Sequence, residues 1–323
     1  MGMIEQARAF IGARHPAAPW PPRRLSLALQ GGGSFGAFTS GVLDRLLERG
    51  IEFDAVSGAS AGAVNAVLMA SGLMESRAAA REKLARFWNR MSQSASFLPA
   101  ASLAAAAMNV GFGALTRTLS PAQFNPFDLN PLREALAAEI DFAELRARSP
   151  VKLLIAATRV RDGQLKIFRE REVTVETVLA SACLPLVHRT IEIDGEPYWD
   201  GGYAANPPLI PLVQASDAPH VLVVQVTPAK SDRLPGSPTE IMKRLDQIHF
   251  NATLNAELEA LKIGLVLRAT PKLRRLRIGR IAAQDEFEGL GGESAANLGR
   301  AFLERLRESG RSATDAWIAE TVR

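Results

Sequence analysis

The sequence predicts an α/β sandwich built on parallel strands. Three observations lead there. Short apolar runs at residues 25–29 and 53–56 each end in a glycine-centred turn. Each turn opens a segment with the spacing of a buried helix. A further run at 220–226, VLVVQV at its centre, is too uniformly apolar for a strand with one wet face and belongs in mid-sheet.

Along the chain, the strand at 25–29 is followed by a helix over 37–48, with Val42, Leu43, Leu46 and Leu47 on one face and Gly50 as its stop. A strand at 53–56 leads to Gly58, and an apolar helix over 61–70 ends near Gly72. Residues 77–90 read as an amphipathic helix and 132–138 as a helix after a loop with two prolines. Runs at 151–160 and 165–168 form a hairpin across Asp162-Gly163, and 175–182 a helix. A second hairpin, 190–193 with 197–199, turns at Asp194-Gly195 and runs straight into Asp200-Gly201-Gly202. Beyond a polar linker at 231–236 the chain is mainly helical, and the basic run at 272–280 reads as a half-exposed strand. Three parts follow: an irregular proline-rich arm over 1–24, an α/β region over 25–230 and a helical C-terminal extension over 231–323.

Composition excludes several classes. With 47% hydrophobic and 22% charged residues the chain is of ordinary globular make-up. The net charge of +4 is scattered, which argues against a nucleic-acid footprint and leaves weak attraction to anionic lipid. Cys183 is the sole cysteine, so there is no internal disulfide and no thiolate zinc site; in its apolar run it reads as an inert buried thiol. The first 24 residues lack the apolar core of a signal peptide, and the expected location is cytoplasmic, with peripheral membrane contact allowed. Residues 91–116 carry no charge but are mostly Ala and Ser, broken by Pro99, Asn109, Gly111 and Gly113, and are not a membrane span. A cap over a site within 91–130 and a buried alanine-rich helix pair are equal readings of that stretch.

The first glycine turn, Gly31-Gly32-Gly33-Ser34-Phe35-Gly36, fits two chemistries. As Gly31-x-Gly33-x-x-Gly36 it matches a dinucleotide fingerprint, with Asp54 as the ribose acid. Asp54, however, precedes Ala55-Val56 instead of ending the second strand. The other chemistry turns successive amides on one point, as an oxyanion requires. The second turn, Gly58-Ala59-Ser60-Ala61-Gly62, fits a nucleophile elbow in which Gly58 and Gly62 relieve crowding around Ser60.

A serine nucleophile needs a base. His15, His220 and His249 sit in arm, strand and helix contexts, and His188 in a loop after Pro185 is the one histidine kept as an alternative. Asp200 is the stronger candidate. It follows Tyr198-Trp199, is followed by two glycines that allow close backbone approach, and leads to the exit Asn206-Pro207-Pro208. Partial desolvation would have to raise its pKa toward neutrality.

Through these residues the chain resembles the patatin-like phospholipases, in which a glycine-rich oxyanion turn, a G-x-S-x-G nucleophile and a D-G-[AG] base occur in that order. The likeness covers about residues 25–230, and Ser181-Ala182-Cys183-Leu184-Pro185 is similar to the segment before the base in bacterial members. The resemblance implies a three-layer α/β/α sandwich with a mostly parallel sheet. It also implies a Ser60–Asp200 dyad without histidine, acting on lipid carboxylic esters through an acyl-enzyme. Gly31, Gly32, Gly33 and Ser34 would form the oxyanion turn, with the amides of the last three as donors, and Gly36, Gly58, Gly62, Gly201 and Gly202 would support the motifs. No metal or organic cofactor is implied. Phe35 stands where many members carry Arg or Lys, which gives weight to neutral esters. A catalytically weak lipid-binding or regulatory protein on the same fold is the alternative function.

Overall fold

The computed structural model describes residues 20–97, 121–124, 130–231, 233–267, 270–283 and 295–320. Residues 98–120 and 125–129, within the expected cap, and 1–19 of the arm lie outside them. β1 (Arg24–Leu29) leads to α1 (Gly36–Glu48), β2 (Glu52–Gly58), α2 (Ala61–Leu73) and α3 (Arg77–Phe97). Then come α4 (Pro131–Glu139), α5 (Phe142–Arg148), β3 (Lys152–Arg159), β4 (Leu165–Arg169), α6 (Val175–Ser181), β5 (Ile191–Ile193) and β6 (Glu196–Asp200). The chain continues through α7 (Leu209–Ala215), β7 (His220–Gln225), α8 (Pro238–Val266), α9 (Pro271–Arg275), β8 (Arg277–Ala282) and α10 (Arg300–Glu320).

Local chemistry sets these boundaries. α1 stops where Gly50 takes φ +75°, which lets the Gly50 and Ile51 amides close back on Leu47 and Leu46 at 3.1 Å each. α4 starts at Pro131 behind the Asn130 side-chain cap, and α6 behind the reciprocal Thr174–Thr177 cap. The sequence reading does not place α5 and α7 as helices. α5 is one short turn pair capped by Asp141, and α7 follows two prolines. The basic run at 272–280 is also corrected: Thr270 caps a helical turn with Pro271 at its start, so α9 takes the first half and only the remainder enters β8.

The eight strands among the described residues join one sheet, whose hydrogen-bonded path runs β5-β6-β3-β2-β1-β7-β8 with β4 also on β3. Along that path β3, β2, β1, β7 and β8 pair parallel to one another. β4, β5 and β6 pair antiparallel. The register around β3 has a geometric consequence. β4 pairs Leu154 to Thr158, β2 pairs up to Ile155, and β6 pairs Ala157 to Arg159. A strand residue has only two hydrogen-bonding edges. β2 and β6 must therefore share the edge opposite β4, with β6 running head-on toward the end of β2. Gly58 faces Ile155 and Asp200 faces Ala157, two residues farther along.

Strand side chains alternate between two cores, as a sheet covered on both faces requires. Leu25, Leu27 and Leu29 face one core with α1, α2 and α3; Ala28, Val221 and Val223 face the other with Leu209, Leu212, Leu254 and Leu261 of α7 and α8. The helical extension is thus not an appendage: it supplies an edge strand and helices on both faces. α10 crosses α1 with the backbones in contact. A Cβ on Gly41 would lie 1.9 Å from the Arg307 carbonyl oxygen, and one on Gly310 2.1 Å from that of Phe38. Beside this crossing the buried Asp44 receives Arg81 at 2.7 Å, Arg307 at 3.2 Å and Arg311. Among the described residues no helix is long and apolar enough to cross a membrane.

Gly41→Ala is expected to push α10 off α1 and to cost about 1–3 kcal/mol of stability, the range for an overpacked core. Urea unfolding measures this; a wild-type midpoint would show that the helices do not cross there.

Candidate active site

The site forms where β1, β2 and β7 end, with β2 on one side of β1 and β7 on the other. Ligand crevices of open α/β sheets lie at such a divergence. Ser60 sits at φ 52°, ψ −125°, two residues past the end of β2 and immediately before the first residue of α2. A non-glycine residue there stores roughly 1–3 kcal/mol of strain. Its surroundings hold it in place. The Ser60 amide donates to both the carbonyl and the hydroxyl of Ser181, each at 3.1 Å. A Cβ on Gly62 would lie 2.1 Å from the Leu29 oxygen, so the turn is pressed onto β1 and only glycine fits.

The structure brings Asp200 to this serine. Its amide donates to Cys183 O at 2.9 Å, its carbonyl accepts Thr158 Oγ1 at 2.7 Å, and Oδ1 accepts the Gly202 amide at 2.7 Å. The Gly201 backbone lies against Ala156, where a Cβ would meet the carbonyl oxygen at 2.2 Å, and Phe250 covers Gly202. Complete burial pushes the carboxyl up from its ordinary 3.8 to about 6. The Gly202 amide and a hydrogen bond from the Ser60 side chain pull it back down.

The glycine turn lies against the serine, since a Cβ on Gly31 would fall 2.7 Å from Ser60 Cβ. Its amides are not equivalent. Gly31 N–H donates to Asn206 Oδ1 at 2.7 Å and Ser34 N–H to Ala295 O at 2.7 Å. Those of Gly32 and Gly33 meet no acceptor among the described residues. Of the amides expected as donors, those of Gly32, Gly33 and Ser34, the last spends its hydrogen on the fold, as Gly31 does. Gly36 closes the turn against Ala61 and Trp88, both within 3 Å of where its Cβ would be. Phe35 packs edge-on to Phe302 of α10 at 6.2 Å.

Other candidates fall elsewhere. Asp54 is bound by Arg24 and by the Asp217 amide on the N-terminal side of the sheet, away from the glycine turn, which removes the dinucleotide reading. His188 accepts the Leu184 amide through Nδ1 at 3.3 Å and lines a small cavity with Asn130 and Ile191. It is not among the groups that shift Asp200. Cys183 is buried as expected, its thiol donating to Arg189 O at 3.1 Å.

Sequence reasoning missed three buried polar supports. Asn65 donates to the carbonyls of Gly36 and Ala61 at 2.9 Å each and accepts Trp88 Nε1 at 3.1 Å. A lone amide inside the apolar helix A-V-N-A-V was the available signal. Gln30 accepts the Val226 and Thr227 amides at 2.9 and 2.8 Å and donates to Asn251 Oδ1 at 3.0 Å. Asn251 lies in α8 and has no recognisable signal.

A family profile described as patatin-like phospholipase matches residues 27–213, more than half of the chain and every motif above. The chain belongs to the patatin-like phospholipase family. Membership places it among lipid hydrolases and accounts for the sheet and the order of its turns. Comparison with curated proteins finds no significant match. Among solved structures, it is similar to VipD from Legionella pneumophila at 16% identity and a TM-score of 0.46, over 99% of this chain and 73% of that one. It is also similar to ExoU of the Pseudomonas aeruginosa type III secretion system, in its complex with SpcU. That match has 17% identity and a TM-score of 0.41, over 93% of this chain and 52% of that one.

Because burial raises the Asp200 pKa, the fold favours its protonated form. Its contribution is full below 3.8 and is lost as pH rises through about 6. Asp200→Asn is therefore expected to raise stability at pH 8, by up to about 3 kcal/mol, with the gain shrinking toward pH 4. Urea unfolding at the two pH values checks this; an equal effect at both would contradict it.

Proposed function

We propose that this patatin-like phospholipase is a serine acyl hydrolase that cleaves carboxylic esters of lipids through a Ser60–Asp200 dyad. The observation that carries the reading is the contact of a strained, elbow-borne serine hydroxyl with a fully buried carboxylate whose pKa lies near 6. A base tuned toward neutrality takes a hydroxyl proton far better than an ordinary exposed aspartate.

In the reaction, Ser60 Oγ attacks the ester carbonyl while its proton passes to Asp200. Negative charge moves onto the carbonyl oxygen, where the Gly32 and Gly33 amides and the N-terminal end of α2 stabilise it. The tetrahedral adduct collapses, the C–O bond breaks, and the alcohol departs with the proton held by Asp200. Water then gives a proton to Asp200, attacks the acyl-serine and releases the acid, and Ser60 recovers its hydrogen. Since Phe35 is committed to Phe302, the turn offers no side-chain cation at that position, which favours esters without a recognised phosphate. Contact with a membrane during turnover would be peripheral.

Turnover of p-nitrophenyl esters tests the reading. Ser60→Ala is expected to lower kcat by about 10^4-fold or more, as when a serine hydrolase loses its nucleophile. Asp200→Asn should cost about 10^2- to 10^4-fold, the range of a general base. A fluorophosphonate probe should label Ser60 in the wild type. kcat/KM should rise with pH through about 6, because the ionised carboxylate is the active form. A folded Ser60→Ala variant with normal turnover would refute the mechanism.

A further inference from the structure

We propose that Asn206 is a positioning residue of this site: it ties the glycine turn at Gly31 to the loop that carries Asp200, and so fixes the Gly32 and Gly33 amides for the transition state. The inference rests on the hydrolase reading above.

Asn206 is fully buried, six positions after Asp200. Its Oδ1 accepts the Gly31 amide at 2.7 Å, and its Nδ2 reaches back to the Gly31 carbonyl at 3.5 Å. Its own backbone is held from both sides. Its N–H donates to Thr253 Oγ1 at 3.3 Å, and its carbonyl accepts Gln30 Nε2 at 3.4 Å. Oδ1 would be 3.2 Å from a Cβ on Gly31, and Ser60 Cβ 2.7 Å from it, so tether, turn and nucleophile are contiguous.

The carboxamide places an acceptor for Gly31 N–H and a donor for Gly31 C=O on separate atoms of one neutral side chain. Alanine would leave the buried Gly31 amide without a partner, and a turn of small residues would shift to rehydrate it. Aspartate would keep the acceptor but set a negative charge beside the place where the oxyanion forms. The tether is secured from beyond the family-matched region. Thr253 and Asn251 of α8 hold Asn206 and Gln30, while Ala295 takes the Ser34 amide. Because oxyanion donors act on the transition state and not on bound ester, misplacing them lowers kcat and leaves KM in place.

The test uses the full chain as wild type, Asn206→Ala and Asn206→Asp, with kcat per active site titrated by a fluorophosphonate taken to completion. Asn206→Ala is expected to lose about 10- to 100-fold in kcat, below the cost of deleting an oxyanion donor outright, with KM changed little. Affinity for a trifluoromethyl ketone, which forms a tetrahedral oxyanion on serine, should fall by the same factor. Affinity for the matching methyl ketone should hold. Asn206→Asp retains the Gly31 contact and therefore the fold; its kcat should fall as its new carboxyl ionises, against the rising wild-type profile. Wild-type kcat per titrated site in Asn206→Ala, or a wild-type pH profile in Asn206→Asp, would overturn the proposal. If the wild type itself neither labels nor turns over ester, the failure lies with the hydrolase reading instead.

Discussion

The site depends on one edge of β3 being shared by two strands. β2 uses that edge as far as Ile155 and stops; β6 enters from the opposite direction and takes it from Ala157 onward. Neither strand can extend without colliding with the other, so both must turn out of the sheet. The first leaves through Ser60 and the second through Asp200. Their side chains meet because their backbones compete for the same hydrogen-bonding groups. The meeting place is the sheet interior, where no water solvates a carboxylate, and the rise of the Asp200 pKa follows from that location.

Holding such a junction is costly, and the cost is spread over the fold. A serine at positive φ, a buried carboxylate and a run of backbone amides turned away from regular pairing are each unfavourable alone. They persist because neighbours leave no alternative. Ser181 fastens the Ser60 amide, Gly62 lets β1 press on the turn at Ser60, and Gly201 lets β3 press on the loop after Asp200. Of the four residues Gly31 to Ser34 in the glycine turn, two surrender their amides to hold the turn and two keep them. A turn with all four amides unsatisfied would have nothing to keep it in shape.

Much of this was legible in the chain. The three motifs announce themselves because glycine, serine and aspartate at strand ends have few other reasons to occur in that order, and hairpins at Asp162-Gly163 and Asp194-Gly195 are local signals. What stayed hidden is non-local. Nothing near Gly31 says that its amide belongs to Asn206, 175 positions away, and nothing near Ser34 says that Ala295 accepts from it. The helical character of residues after 231 was readable from spacing, but its place on both sheet faces was not. Amphipathic periodicity tells that a helix has a core face and not which core it covers. α9 was lost to the alternating pattern of its basic run, where a Thr-Pro cap outweighed the strand-like alternation.

The reliance of the glycine turn on Ala295 and of Gln30 on Asn251 has a consequence for biosynthesis. A nascent chain released from the ribosome tunnel only as far as β7 already holds the serine, the aspartate and the turn. It still lacks the contacts that set the turn's amides. The proposed site is thus incomplete until the segments that carry Asn251 and Ala295 have been made and have docked, well after its serine and aspartate.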